Sequence, residues 1–373
     1  MVQRAQPAIT LFLGGDVMCG RGIDQVLPHP GDPVLYEPYL RDARGYVEIA
    51  EAAHGPIPRP LDYAAVWGAT LPELARVAPG ARIINLETAI TTSPDYWPDK
   101  GINYRMHPAN SPFLTAARID LCGLANNHVL DWGRAGLQET LHTLRQAGLR
   151  TAGAGPDAEG ALAPAVLPLA GGARLLLFAW ATPDSGVPGA WRAQARRPGI
   201  ALLPGLDEAS AQEVAAQVAR WRQPGDRVLV SMHWGGNWGV EVPQPHQQFS
   251  RRLVELEAAD LVHGHSSHHP RPLEVYRGRL ILYGCGDLIN DYEGIGAVGR
   301  LDPSAVCLYF VQLERGSGAV RQVDIVPMQL QRLQLRHADA AARRGLQSLL
   351  ESAGPGWSTR LQTQDDGSWR LRW

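Results

Sequence analysis

The sequence predicts an α/β fold, and three observations carry that prediction. Apolar strand-like runs alternate with amphipathic helical stretches, each apolar run ends in a polar or glycine-containing segment, and the later part of the chain turns to strands alone. The first group of runs is "AITLFLGG" (8–15), "ARIINLE" (81–87), "IDLCGLA" (119–125), "DRVLVSMHWG" (226–235) and "ADLVHGH" (259–265). Strands separated by helices point to a largely parallel sheet.

The helices read from their periodicity. In "RAGLQETLHTLRQAGL", Leu137, Leu141 and Leu144 share one face at i, i+4 and i+7. Asp131 stands where it would cap that helix, and Gly148 follows it. "SAQEVAAQVARW" (210–221) reads as a second helix. In the tail, "RPLEVYRGRLILYGCG" (271–286) reads as a hairpin turning at Arg277-Gly278, and "AVCLYFVQLERGSGAVRQVDIVPMQL" (305–330) as another turning at Gly316-Ser317-Gly318. These strands suggest a second sheet packed on the first. Residues 336–352 read as a helix with Leu346, Leu349 and Leu350 apolar, and "SWRLRW" as a weak last strand. There is no internal repeat and no low-complexity linker, only a Pro-rich insert at about 28–60, so a single domain is expected over 1–373.

Composition excludes some functions. Lys+Arg 35 against Asp+Glu 37 gives a net charge of -2, which provides no electrostatic argument for nucleic acid or an anionic membrane surface. Cys19, Cys122, Cys285 and Cys307 lie far apart in or beside apolar runs, with no CxxC pair, so they read as buried free thiols rather than disulfides or a zinc knuckle. No stretch approaches the ~20 apolar residues of a membrane span. The apolar run before Gly14 is too short for a signal sequence, and a cytoplasmic location is expected.

The chemistry sits at the ends of the strands. The first delivers Asp16, the second Asn85 and Glu87, the third Asn126, Asn127 and His128, the fourth His233, and the fifth His263 and His265, then His268 and His269. Open α/β sheets bind ligands at the carboxyl ends of their strands. Carboxylates, an amide oxygen and imidazoles without nearby Cys suit one or two divalent ions, Mn, Zn, Fe, Mg or Ca. A histidine left off the metal would act as general acid or base. Asn126 reads as a backbone-bonding turn residue, which leaves Asn127 as the ligand. Ordinary readings stand beside these: Glu87 as a helix cap or arginine partner, His233 as a satisfied core histidine, Trp234 as core or pocket wall. Arg21, Tyr104 and Arg105 could bind a substrate carboxylate or phosphate, or simply make loop ion pairs. Asp287 and Asn290 are candidate partners of the histidines.

In order along the chain, "GGDVMCGRG", "INLETAIT", "LANNHVLDWGRAGLQETLHTLRQAGLRTAGAG", "HWGGNW" and "LVHGHSSHHPRPLEVYRGRLILYGCGDLI" resemble the successive motifs of the CapA family, named for poly-γ-glutamate capsule biosynthesis and itself similar to calcineurin-like metallophosphatases. The resemblance covers roughly 9–295. It implies a four-layer α-β-β-α metallophosphatase-like sandwich with two central mixed sheets, with the hairpin, helix and tail of 305–373 added. It also implies that Asp16, Glu87, Asn127 and His233 bind metal, with His263, His265 and His268 sharing the closing histidine role in a way the motif does not settle. Asp16, His128 and His268 are the expected catalytic residues. Two departures stand out. Position 18 is Met where phosphatases carry a His, and the closing motif reads Gly264-His265-Ser266-Ser267-His268 where many relatives have His-Pro-His.

The implied function is a metal-dependent enzyme acting on a peptide, γ-glutamyl or related amide or ester, by hydrolysis or by epimerisation. The substrate would be peptide-like or another small anion. The alternatives are a metal-dependent phosphoesterase and a non-catalytic polymer- or carbohydrate-binding scaffold.

Overall fold

A computed structural model describes residues 8–296, 299, 301–351 and 359–373. Its strand order decides where functional groups can gather. In the first sheet, Ala8–Val17 lies parallel to Ala81–Leu86, which is parallel to Leu121–Gly123, and that strand to Arg150–Ala152. On the other side of Ala8–Val17 run Ala305–Glu314, Val320–Gln331, Trp369–Arg372 and Arg360–Thr363, all antiparallel to their neighbours. The short strand Asp287–Ile289 pairs with the end of Ala8–Val17.

The second sheet has the order Leu273–Tyr276, Arg279–Leu282, Leu261–His265, Arg227–His233, Arg174–Ala181, Ala165–Pro168. Its four central strands are parallel and its two edges antiparallel. Period-two geometry makes each central strand serve two cores. Leu175, Leu177, Leu229 and Leu261 join the core shared with the first sheet. Leu176, Phe178, Trp180, Val228 and Val230 face helices Glu208–Trp221 and Gln244–Glu255. Helices Gly133–Gln146 and Ala340–Leu350 pack on the first sheet. The result is helices, sheet, sheet, helices: a mixed α/β sandwich with two central sheets.

The sheets pack tightly around Gly153. Its φ is +90°, and a Cβ there would lie 2.7 Å from Ala125 Cβ and 2.8 Å from Ala179 Cβ, one from each sheet's side of the interface.

The trailing strands divide in a way their pattern did not show. The hairpin Leu273–Tyr276/Arg279–Leu282 extends the second sheet, whereas Ala305–Glu314/Val320–Gln331 joins the first. The strand Arg174–Ala181 is one the sequence pattern does not mark, because eight residues of nearly continuous apolar character carry no period that separates strand from helix. The expected helix over 336–352 is Ala340–Leu350, with Gln334–His337 forming a strand and residue 352 outside the described part. Asp131 does not cap Gly133–Gln146, which has Trp132 at its N-cap and no side-chain cap. Among the described residues, no helix is long and apolar enough to cross a membrane.

Candidate metal centre

The parallel strands of both sheets run the same way into one buried cluster. Asp16 is fully buried near the end of the first strand. Its Oδ1 accepts from Asn85 Nδ2 at 2.8 Å, and its Oδ2 from the backbone N–H of Ser266 at 3.2 Å. Asn85 also reaches Glu87 Oε2 at 3.3 Å, so one amide holds both carboxylates in place. Asn126 is used up structurally: Nδ2 donates to Asn85 Oδ1 and Leu86 O, and Oδ1 accepts from the N–H groups of His128 and Val129. That turn leaves the Asn127 side chain free to face the second sheet, where its Oδ1 lies 3.1 Å from His233 Nε2. Glu87 Oε1 is 3.9 Å from His233 Nε2 and 3.9 Å from His128 Nε2.

Asp16, Glu87 and His233 each offer a ligand atom within 4.8 Å of the others, and so do Asp16, His268 and Asp287. Asp16 is common to both groups. His268 Nδ1 sits 2.8 Å from Asp287 Oδ1, and Asn290 Nδ2 donates to Asp287 Oδ2 at 2.7 Å. His265 Nδ1 lies 3.0 Å from Asp16 Oδ1 but off the line of a hydrogen bond, while its Nε2 is 3.1 Å from His263 Nδ1. His263 is thus one strand step behind His265, not beside the carboxylates.

These residues fit a divalent ion. Donors each about 2.1 Å from one ion stand roughly 3–3.5 Å apart, the spacing of His233 Nε2 and Asn127 Oδ1. The electrostatics agree. Burial pushes the Glu87 carboxyl well above the usual range, and the neighbouring Asp16 and Asp287 push it further. Burial also opposes ionisation of Asp16, but His265, His233 and the Asn85 hydrogen bond outweigh it and hold Asp16 well below the usual range. Three buried carboxylates this close call for a local positive charge, which an ion supplies. His233 is pushed down to about 3 by burial, so its ring is neutral and can ligate.

His128 is built differently. Its Nδ1 is 2.6 Å from Asp131 Oδ2, whose carboxylate also accepts the Tyr104 N–H at 2.7 Å. Lys100 Nζ lies 2.7 Å from Asp131 Oδ1 and 2.9 Å from His128 Nδ1. Burial pushes His128 down to about 4, against the pull of Asp131. His268 moves the other way: burial lowers it, but Asp287 overcomes that and raises it. Beside His268 opens a cavity of about 240 Å³, lined by Tyr39, Tyr46, Ile102, Trp238 and Tyr292 among others.

Arg21 lies at that cavity but is committed to Asp291 and Glu37, and Arg105 to Ser93 O and Asp32, so both make structural contacts. Tyr104 Oη is 3.0 Å from Tyr292 Oη. Met18 is fully buried, with its sulfur 3.8 Å from Tyr292 Oη. Trp234 is core, donating to Tyr283 O. Sequence reading did not find Lys100, which a loop brings to His128 from 28 residues away, and it read Asp131 as a cap.

The profile of the family described as bacterial capsule synthesis protein PGA_cap matches residues 10–292, a span that contains every residue of this cluster. A Mycobacterium tuberculosis protein named probable polyglutamine synthesis accessory protein is 43% identical over 361 residues, 96% of this chain and 94% of its own. The Bacillus subtilis PGA biosynthesis protein CapA is 25% identical over 278 residues, 74% of this chain and 62% of its own. A solved structure titled as a novel phosphatase, from Mycoplasma pneumoniae, overlaps 91% of this chain and 97% of its own at 11% identity with a TM-score of 0.46, a likeness that says nothing about activity.

Proposed function

The chain belongs to the bacterial capsule synthesis protein PGA_cap family, and on that premise we propose that it is a metal-dependent enzyme that opens an amide bond of a γ-glutamyl or other peptide-like substrate. One observation supports this above others: donors from both sheets meet beside two histidines, each with its Nδ1 held by its own carboxylate. The relatives' names, which refer to polyglutamine and PGA synthesis, support a glutamyl substrate.

In this reading Asp16, Glu87, Asn127 and His233 hold an ion, and Asp16 with Asp287 and His268 faces a second position. A divalent ion bound there polarises a carbonyl and eases deprotonation of water. The chain's own groups manage the protons. Asp131 and Lys100 both reach His128 Nδ1; in the tautomer whose Nδ1–H Asp131 accepts, Nε2 is the basic nitrogen and faces Glu87. With that second position empty, Asp287 favours the charged form of His268, which makes that ring the proton donor to the leaving amine. Asn85 and the Ser266 N–H fix the orientation of Asp16, and His265 lies behind it with His263 at its far nitrogen. The cavity beside His268 receives the substrate.

The test is turnover of γ-glutamyl p-nitroanilide and of p-nitrophenyl phosphate by Mn²⁺- or Zn²⁺-loaded protein, run also in D2O with a peptide substrate. Amide cleavage that Asp16→Ala abolishes, with little phosphate turnover, is expected. Phosphate turnover without amide cleavage would replace the reading with a phosphoesterase. Deuterium uptake at an α-carbon without cleavage would replace it with an epimerase.

A further inference from the structure

Four arginines are buried among the described residues: Arg21, Arg105, Arg227 and Arg271. Three are held by two or more partners each, although the Arg227 Nε is also buried without one. Arg21 is held by Asp291 and Glu37, Arg105 by Ser93 O and Asp32, and Arg227 by the carbonyls of Gly225, Asp226, Arg315 and Gly316. Arg271, 4% exposed, makes a single hydrogen bond, from Nη2 to Gly236 O at 3.2 Å. Its Nε is buried with no partner, and its Nη1 bonds to none of the described residues. A buried charge left this way is costly unless something else completes it.

Its surroundings are also incomplete. His246, 2% exposed and stacked on Trp234, has a buried Nδ1 with no partner. Both side chains close on Gly235, whose φ is +69°; a Cβ there would lie 2.7 Å from His246 Cε1 and 3.9 Å from Arg271 Nη1. Glycine at 235 is what admits them to this stretch of backbone. The next residues, Gly236 and Asn237, are exposed, so the place opens to solvent. It is also tied to the metal centre. Ser266 Oγ donates to Gly235 O at 2.8 Å, while the Ser266 N–H donates to Asp16 Oδ2. Asn237 lines the cavity beside His268.

We propose that Arg271, with His246 and the Gly235–Gly236 backbone, binds a carboxylate of the substrate while the metal centre acts on a neighbouring amide. The inference rests on the amide reading above for the rest of the substrate. A guanidinium matches a planar carboxylate by its fork of donors. The site supports one negative charge, not two. It offers a single guanidinium, and the acid whose charge Arg271 feels, exposed Asp184, forms no ion pair with it. A dianion such as phosphate would lack compensation.

The experiment is calorimetric titration of the metal-free full-length protein with N-acetylglycine, its methyl ester and inorganic phosphate. Wild type should bind N-acetylglycine and not the ester, and Arg271→Gln should weaken that binding roughly tenfold or more. Arg271→Lys keeps the charge without the fork and should fall between them; it also serves if Arg271→Gln fails to fold by circular dichroism. Unchanged binding in a folded Arg271→Gln or Arg271→Lys protein, or none in wild type, overturns the inference. Phosphate binding tighter than N-acetylglycine through the same arginine overturns the carboxylate assignment. The titration involves no metal and no turnover, so failure of the amide-cleavage test leaves its result standing, and the reverse holds too.

Discussion

His233 Nε2 lies 3.1 Å from Asn127 Oδ1, joining residues 106 positions apart that the two sheets deliver from opposite sides. Both atoms present lone pairs when the ring is neutral at Nε2, so the contact holds only with a proton or a cation between them. A cation is expected. Metal analysis of purified protein should find at least one divalent ion per chain, lost in Asp16→Ala and His233→Ala and kept in His128→Ala. If a second ion is present, Asp287→Ala should lose it alone. Equal metal content in wild type and Asp16→Ala would refute the assignment.

The Asp131–His128 pair gives a kinetic prediction. Asp131→Asn should lower kcat about 10²- to 10⁴-fold, the usual range for a proton carrier, and leave metal content unchanged. Since Asp131 Oδ2 also accepts the Tyr104 N–H, a loss of about 1 kcal/mol in stability should accompany it. A variant that unfolds or loses its metal along with its activity would show instead that Asp131 is structural.

Much of the cluster was legible because parallel strands end on one side, so Asp16, Glu87, Asn127 and His233 could be read off as residues following apolar runs. What was not legible depends on pairing and loop path. His263 and His265 share a strand face two residues apart, and only the packing of one sheet on the other shows that His265 touches Asp16. Lys100 reaches His128 through a loop whose course has no sequence period. An aspartate two residues before a helix reads as a cap, and only the tertiary position of His128 diverts Asp131 from that role. The hairpins were visible from their turns, but nothing in their patterns said which sheet each would extend.

Stability should fall in mild acid. Burial pushes His246 down to about 4, from an ordinary value of 6.5. Below about 6.5 the unfolded chain takes up a proton that the folded chain refuses until about 4, so stability is full above 6.5 and declines as pH falls between the two. For one ring the loss is on the order of 3 kcal/mol at the lower end. Thermal melts of metal-free protein from pH 7 to pH 4.5 should show this fall, with a shallower slope in His246→Gln. Parallel slopes for the two proteins would show that His246 does not carry it.

Gly153 carries the last prediction, because it connects the fold to the site. The strands whose ends bear Asn127 and His233 belong to different sheets, and those donors stay 3.1 Å apart only if the sheets keep their separation. A Cβ at 153 would enter the gap between Ala125 and Ala179 at 2.7 and 2.8 Å, with backbone on one side and a strained φ of +90°. Gly153→Ala should therefore cost about 2 kcal/mol or more in stability. It should also weaken metal binding, although no ligand is altered. Thermal melts and metal titration on the same preparation separate the two effects. Lower melting with unchanged metal affinity would mean that the sheets relax around the methyl without moving the donors.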